Sequence, residues 1–104
     1  MTALIDTSFL LATVAPHDQN HALAREALRT IKSGQRIAAP VLTDSDYTRM
    51  DAIMRQYRDA RFDLADAAQM ALAERLDVRQ VYTFDRRDFR LFKPAHCDAL
   101  DLLP

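Results

Sequence analysis

Three aspartates stand at positions where an α/β protein could gather them for chemistry. Asp85 follows an apolar run at residues 81–84, and Asp6 follows a second run at residues 3–5. If both runs are parallel strands, the two carboxylates lie on the rim outside the carboxyl ends of the strands, where ligands bind in open α/β sheets. Asp66, at the start of an Ala-rich helical stretch, adds a third acid. Converging carboxylates without His or Cys predict a site for a hard cation such as Mg²⁺ or Mn²⁺.

Several unrelated kinds of site could use these acids, and phosphodiester hydrolysis is one chemistry that they could serve. Divalent ions held by carboxylates can activate water and neutralise the charge on a leaving oxygen. The competing interpretation is structural, because an aspartate after a strand often caps a helix or forms a turn. The coincidence of three aspartates at one rim favours a shared site over three separate caps.

Composition and charge indicate which class of protein carries these residues. The 104 residues are 49% apolar, which fits one globular domain spanning residues 1–104. The formal net charge of −1 gives no global basic field, so a polyanion must be bound by a local patch. The single cysteine cannot form an internal disulfide. No apolar stretch is long enough to span a bilayer, and no secretory signal is visible. We therefore expect a soluble, cytoplasmic protein with no membrane partner.

Hydrophobic periodicity predicts strands that alternate with helices. Strands are expected at residues 2–5, at residues 36–41 with a stop at Pro40, and in a run that ends at Asp85, and residues 99–103 form either an edge strand or a docked tail. Helices are expected at residues 9–14, after a cap at Asp18, and in two stretches that begin near residues 43 and 63. The sequence of residues 88–92 fits either a helical turn or a loop. This alternation implies an α/β fold with a parallel sheet.

Three segments resemble PIN-domain nucleases, the fold of VapC-type toxins, and they occur in the family's order. Residues 3–8 resemble the opening strand, residues 64–76 are similar to the third-acid helix, and residues 81–89 resemble the fourth-acid strand with the turn after it. The resemblance implies a three-layer, parallel-sheet α/β fold and a metal-dependent endoribonuclease that cuts RNA. It also implies a cognate antitoxin, a small protein that covers the nuclease site.

The resemblance assigns roles to individual side chains. The family's first, third and fourth acids, which bind the metal and carry catalysis, correspond to Asp6, Asp66 and Asp85. Three further side chains would support the site, namely Ser8, Thr83 and Asp63.

The chain departs from the family's pattern after the second strand. The family carries a Glu there, followed by a helical segment and a further strand, whereas residues 42–57 here resemble what lies after that segment. A block with helices and an edge strand is therefore expected to be missing. Asp44 falls where the Glu would be and is expected as a metal ligand, with Asp46 as the alternative.

Loss of that block has two expected consequences. Apolar surface on one side of the sheet would be uncovered, which predicts a homodimer or a domain-swapped oligomer. The acidic site would also be at risk, so the alternative function is a catalytically inactive PIN remnant that acts as a binding or interaction module. Metal affinity distinguishes the two functions.

A basic run follows Asp85 directly. Arg86 and Arg87 stand next to the expected metal rim, and arginine suits contacts with the phosphates of RNA. The competing interpretation is a solvated turn.

Other patterns carry less chemistry. His17 and His21 have a zinc spacing, but no third ligand lies nearby, so a role at the entry to a helix is expected. Cys97 beside His96 lacks a nearby acid or oxyanion motif and is expected to be inert. A phospho-receiver domain needs paired acids after its first strand, and no second acid follows Asp6.

Overall fold

Strands and helices alternate along the chain, as the hydrophobic pattern predicts. The computed structural model describes residues 2–38 and 40–104. In chain order, the elements of these residues are β1 (Thr2–Ile5), α1 (Thr7–Val14), α2 (His21–Lys32), β2 (Arg36–Ile37), α3 (Asp44–Gln56), a 3-10 turn (Arg58–Ala60), α4 (Leu64–Arg75), β3 (Gln80–Tyr82), α5 (Arg86–Leu91) and β4 (Asp101–Leu103). The two segments left open by the sequence are thus a short helix, α5, and an edge strand, β4.

The strands form one parallel sheet in the order β2-β1-β3-β4. β1 and β3 are the central pair, with Ile5 opposite Tyr82. The backbone N–H of Asp6 donates to the Tyr82 carbonyl at 2.9 Å, and that of Thr83 donates to the Leu103 carbonyl at 2.7 Å. The carboxyl ends of β1, β3 and β4 therefore meet at one rim, as the sequence predicts.

Helices cover both faces of the sheet, so the fold has three layers. Ala3 and Tyr82 pack with the buried residues of α1 and α2 on one face. Leu4 and Val81, their neighbours along the same strands, pack with α3, α4 and α5 on the other. Successive side chains of a strand point to opposite faces, which explains this division. The predicted three-layer α/β fold is confirmed.

Local capping sets where the helices begin. Asp6 is the N-cap of α1 and Asp63 is the N-cap of α4, and each carboxylate accepts a hydrogen bond from the backbone two or three residues ahead. Thr43 and Asp46 form a capping box at the start of α3, which is the pattern that the sequence indicates.

The second helix begins later than expected. Asp18 was a predicted cap, but α2 starts at His21 with Asn20 before it. The Asp18 carboxylate instead accepts from the backbone N–H of Asn20 at 2.7 Å, so it closes a turn ahead of the helix.

β2 is shorter than the predicted strand at residues 36–41, of which Ala39 lies outside the described residues. The backbone N–H of Ala38 donates to the Ala3 carbonyl at 3.0 Å. In a parallel ladder the next such bond would run from residue 40 to the Ile5 carbonyl, but Pro40 has no N–H. β2 therefore stops level with Ala3, about 10 Å short of Asp6 at 3.3 Å per residue.

Among the described residues, no helix combines the length and the apolar character needed to cross a membrane.

Candidate metal centre

Asp6 is held in place by two hydroxyl groups. Its carboxylate oxygen Oδ2 accepts from Ser8 Oγ at 2.7 Å and from Thr83 Oγ1 at 2.8 Å, and the Ser8 backbone N–H adds a bond at 3.3 Å. The side chain is only 3% exposed. All three bonds end on Oδ2, so the other oxygen of this carboxylate is the one left for a ligand.

The same hydroxyls fix the chain that leads to Asp85. Ser8 Oγ accepts from the backbone N–H of Phe84 at 2.9 Å, and Thr83 Oγ1 accepts from that of Asp85 at 3.0 Å. Ser8 and Thr83 therefore tie the loop after β1 to the loop after β3, and they set the relative position of the two acids.

Asp66 is presented by the first turn of α4. The carboxylate of Asp63 caps this helix by accepting from the Asp66 backbone N–H at 2.8 Å, and Asp63 itself is exposed. Asp66 is 3% exposed, and its oxygen Oδ2 has no hydrogen-bond partner among the described residues. A buried carboxylate oxygen without a partner is costly, unless a proton or a cation satisfies it.

Asp85 and Asp88 complete a tight acidic trio with Asp66. One carboxylate oxygen from each of the three residues lies within 4.8 Å of the other two. Asp85 precedes α5 as its N-cap residue, and Asp88 lies in the first turn, buried like Asp66. Helix geometry brings positions three apart to the same side, so α5 turns both carboxylates toward α4.

Asp88 is the site residue that the sequence analysis missed. The available signal was the spacing of Asp85 and Asp88, which repeats that of Asp63 and Asp66. In the sequence, residues 88–92 fit either a helical turn or a loop, and only a helix places Asp88 beside Asp85.

The crowding of carboxylates in the cluster favours the binding of a cation or a proton there. Burial, a hydrogen bond with Asp88, and the charges of Asp63, Asp85 and Asp6 together raise the pKa of Asp66 to about 8. Burial and the charges of Asp88, Asp6 and Asp63 also raise the pKa of Asp85, against a smaller opposite effect of Arg87. Asp6 and Asp63 thus lie outside the trio but close enough for their charges to act on it.

The donor set fits a hard divalent cation. The trio offers only carboxylate oxygens, and Asp66 Oδ2 is a buried donor that lacks a partner. Mg²⁺ and Mn²⁺ prefer such oxygens, and a cation among them would reverse the upward shift of the carboxylate pKa values.

Asp44 is not brought to these acids. Asp46, near the start of α3, pairs with Arg75 at the end of α4, so the two helices run antiparallel. Arg75 comes nine residues after Asp66, which is about 14 Å along a helix that rises 1.5 Å per residue. Asp44 is therefore exposed near the far end of α4, and it is left out of the ligand set that we consider below.

Asp46, the alternative to Asp44, is fully engaged elsewhere. Its two carboxylate oxygens accept from Arg75 Nε at 2.8 and 3.0 Å, and one of them also accepts from the backbone N–H of Thr43 at 2.9 Å. β2 stops short of the rim, so the chain after it reaches α3 at the opposite end of α4. This is the physical reason why neither acid of α3 stands at the site.

The two arginines after Asp85 have different surroundings. Arg87 donates from Nη1 to Asp88 Oδ1 at 2.6 Å and to the Ala60 carbonyl at 3.3 Å, and its side chain is largely exposed. Arg86 donates to the carbonyl of Pro104, beyond β4. Arg87 therefore lies at the edge of the acidic trio, whereas Arg86 is turned toward the C-terminal strand.

Comparison with known proteins gives a partial match. No protein-family model matches the chain. Over 52 residues, half of its length, the chain is 36% identical to Ribonuclease VapC26 of Mycobacterium tuberculosis, and the match covers 38% of that protein. The similarity confirms the resemblance to VapC-type nucleases, and the parallel α/β fold agrees with it.

Proposed function

We propose that this protein is an endoribonuclease of the VapC type that depends on Mg²⁺ or Mn²⁺ and hydrolyses RNA phosphodiesters. The observation that carries the proposal is the buried, unpartnered oxygen of Asp66 within the acidic trio. The name of the partial relative, a ribonuclease, supports the choice of RNA as substrate. The oxygen-only donor set supports the choice of metal.

The residues of the candidate site have different roles in this proposal. Asp66, Asp85 and Asp88 would hold the cation, and Asp6 would add an oxygen from the end of β1. Ser8 and Thr83 orient Asp6 through the hydrogen bonds described above. A divalent cation in this position supplies activation of water and neutralisation of the charge that develops on the phosphate.

Cleavage of a single-stranded RNA in the presence of Mn²⁺ tests the proposal. EDTA is expected to abolish cleavage, and Asp66→Asn and Asp85→Asn are each expected to reduce the rate at least about 100-fold, because each removes a charged ligand. The matched control is Asp51→Asn, since Asp51 is an exposed acid of α3 that pairs with Arg55. Cleavage that survives both site variants would contradict the proposal.

The wider assignments are part of the same proposal. We propose a cytoplasmic protein of one domain, regulated by a cognate antitoxin that covers the acidic rim. We propose that Arg87 contacts an RNA phosphate beside the trio, and that Arg86 contacts the same RNA only after its hydrogen bond to the Pro104 carbonyl breaks. We also propose a homodimer, because apolar side chains of α1 are exposed.

A binding module without catalysis is the second candidate function. The observation in its favour is that α3 brings no acid to the rim, so the site lacks a residue in the place of the family's second acid. Calorimetry decides between the two, since absence of Mn²⁺ binding would favour the binding module.

A further inference from the structure

Gln69 is a polar residue of α4 that stands close to Asp66 in the chain and contacts the end of β1. It stands three residues after Asp66 on α4, so the two side chains share one side of the helix. Its amide nitrogen Nε2 donates to the Ile5 carbonyl at 3.3 Å, at the end of β1 beside Asp6. Its amide oxygen Oε1 is buried and has no hydrogen-bond partner among the described residues.

The orientation of this amide follows from the early end of β2. The Ile5 carbonyl points toward β2, where Pro40 cannot donate the next ladder bond. The Gln69 side chain supplies the missing N–H. Exchanging its oxygen and nitrogen would place Oε1 against a carbonyl, and two acceptors cannot satisfy each other. Oε1 must therefore be the atom that faces away from Ile5.

Two unpartnered oxygens thus lie one helical turn apart on α4. Asp66 Oδ2 and Gln69 Oε1 are both buried, and the Gln69 side chain contacts the end of β1. A buried acceptor without a partner is unfavourable, because it has lost its hydrogen bonds to water and gained none in the protein. With Asp66 charged, the two acceptors cannot pair with one another, whereas one cation can satisfy both, and carbonyl oxygens are accepted ligands of Mg²⁺ and Mn²⁺.

We propose that Gln69 Oε1 is a neutral ligand of the cation held by Asp66, in a site where α3 brings no acid. The inference rests on the proposed function, because it needs a cation at the acidic trio. The anchoring bond to Ile5 holds the amide so that its oxygen is presented before the metal arrives.

Calorimetric titration with Mn²⁺ alone tests this inference without reference to cleavage. Gln69→Met keeps the length of the side chain and removes the oxygen, so the affinity is expected to fall about tenfold. Gln69→Glu keeps an oxygen and adds a negative charge, so the affinity is expected to rise above that of the wild type. If Gln69 only donates to the Ile5 carbonyl, the affinity for Mn²⁺ should fall in both variants, since neither side chain can donate to that carbonyl.

Gln80 provides the matched control. Its oxygen Oε1 is also buried without a partner, but it stands at the start of β3, at the opposite end of the strands. Gln80→Met and Gln80→Glu are expected to leave the affinity for Mn²⁺ within about twofold of the wild type, because a group beyond a Debye length of about 10 Å acts weakly on the site.

The outcomes separate the two proposals. Wild-type protein that does not bind Mn²⁺ overturns the proposed function and this inference with it. Wild-type binding without the expected fall and rise in the Gln69 variants overturns this inference alone. If a variant fails to fold, as judged by thermal melting, a crystal structure of the wild type with Mn²⁺ decides, since the ion either contacts Oε1 or does not.

Discussion

Asp66 is the residue at which burial, charge and the absence of a partner coincide. It shares the side of α4 with Gln69 and faces the acids of α5, and its neighbours raise its pKa to about 8. In the metal-free protein at neutral pH, the favourable form of this carboxyl is protonated. Binding of a cation must displace that proton, so affinity and pH are linked.

The affinity for Mn²⁺ is therefore expected to rise with pH. One proton is released per ion below the raised pKa, so the binding constant is expected to increase about tenfold per pH unit up to pH 8 and then level off. Calorimetry at several pH values between 6 and 9 measures this slope. A flat profile would show that the metal-free Asp66 is already charged at neutral pH.

The raised pKa of Asp66 also makes the stability of the metal-free fold depend on pH. An unfolded aspartate loses its proton near pH 3.9, earlier than Asp66 does in the folded chain. The unfolded state therefore binds fewer protons between about pH 4 and 8, and the free energy of unfolding contributed by Asp66 falls as the pH rises through that window. Asp66→Asn should remove this contribution.

At the scale of elements, the antiparallel packing of α3 on α4 decides which acids can share a site. Two ion pairs join these helices, Asp46 with Arg75 and Arg49 with Glu74. Asp46 is 2% exposed, and its pKa is lowered, chiefly by the hydrogen bond from Arg75. This acid therefore stabilises the fold at the end of α4 that is remote from the trio.

Removal of Arg75 is expected to destabilise the protein. Arg75→Ala leaves a buried carboxylate without its main partner, and we expect a loss of about 2–3 kcal/mol at pH 7, measured by urea unfolding. Because the pKa of Asp46 is lowered in the folded state, this contribution is present above about pH 4 and lost as the pH falls further. Arg55→Ala, which breaks an exposed pair with Asp51, should cost less than about 0.5 kcal/mol. Equal losses in the two variants would contradict the argument.

For the whole molecule, the surface includes several exposed apolar side chains, and three of them lie on α1. Leu10, Leu11 and Val14 of α1 are 53%, 57% and 73% exposed, and we call these three residues the α1 patch. Exposed apolar residues that cluster on one helix often mark an interface. Val41, in the segment between β2 and α3, is also exposed.

We expect a homodimer that buries the α1 patch. Size-exclusion chromatography with light scattering should give the mass of two chains for the wild type, and the double substitution Leu11→Ser with Val14→Ser should give that of one. Val41→Ser is the control, and a monomer from this variant alone would place the interface around Val41 instead. A monomeric wild type at micromolar concentration would contradict the dimer.

Much of the local structure could be predicted from the sequence because its causes are local. The caps at Asp6, Thr43 and Asp63 follow from side chains that bond to the backbone two or three residues ahead. The stop of β2 at Pro40 follows from the same kind of reasoning, because a proline cannot donate to a strand ladder.

The sequence by itself determined that acids follow two strands and open a helix, since strand ends and helix caps are fixed by residues close in the chain. Only the tertiary structure decided which oxygens meet. The distance between Asp66 and Asp88, the exclusion of Asp44, and the position of Gln69 beside Ile5 depend on the direction of α3 against α4 and on where β2 stops. Those features are set by packing between segments that are distant in the chain, and no short sequence pattern encodes them.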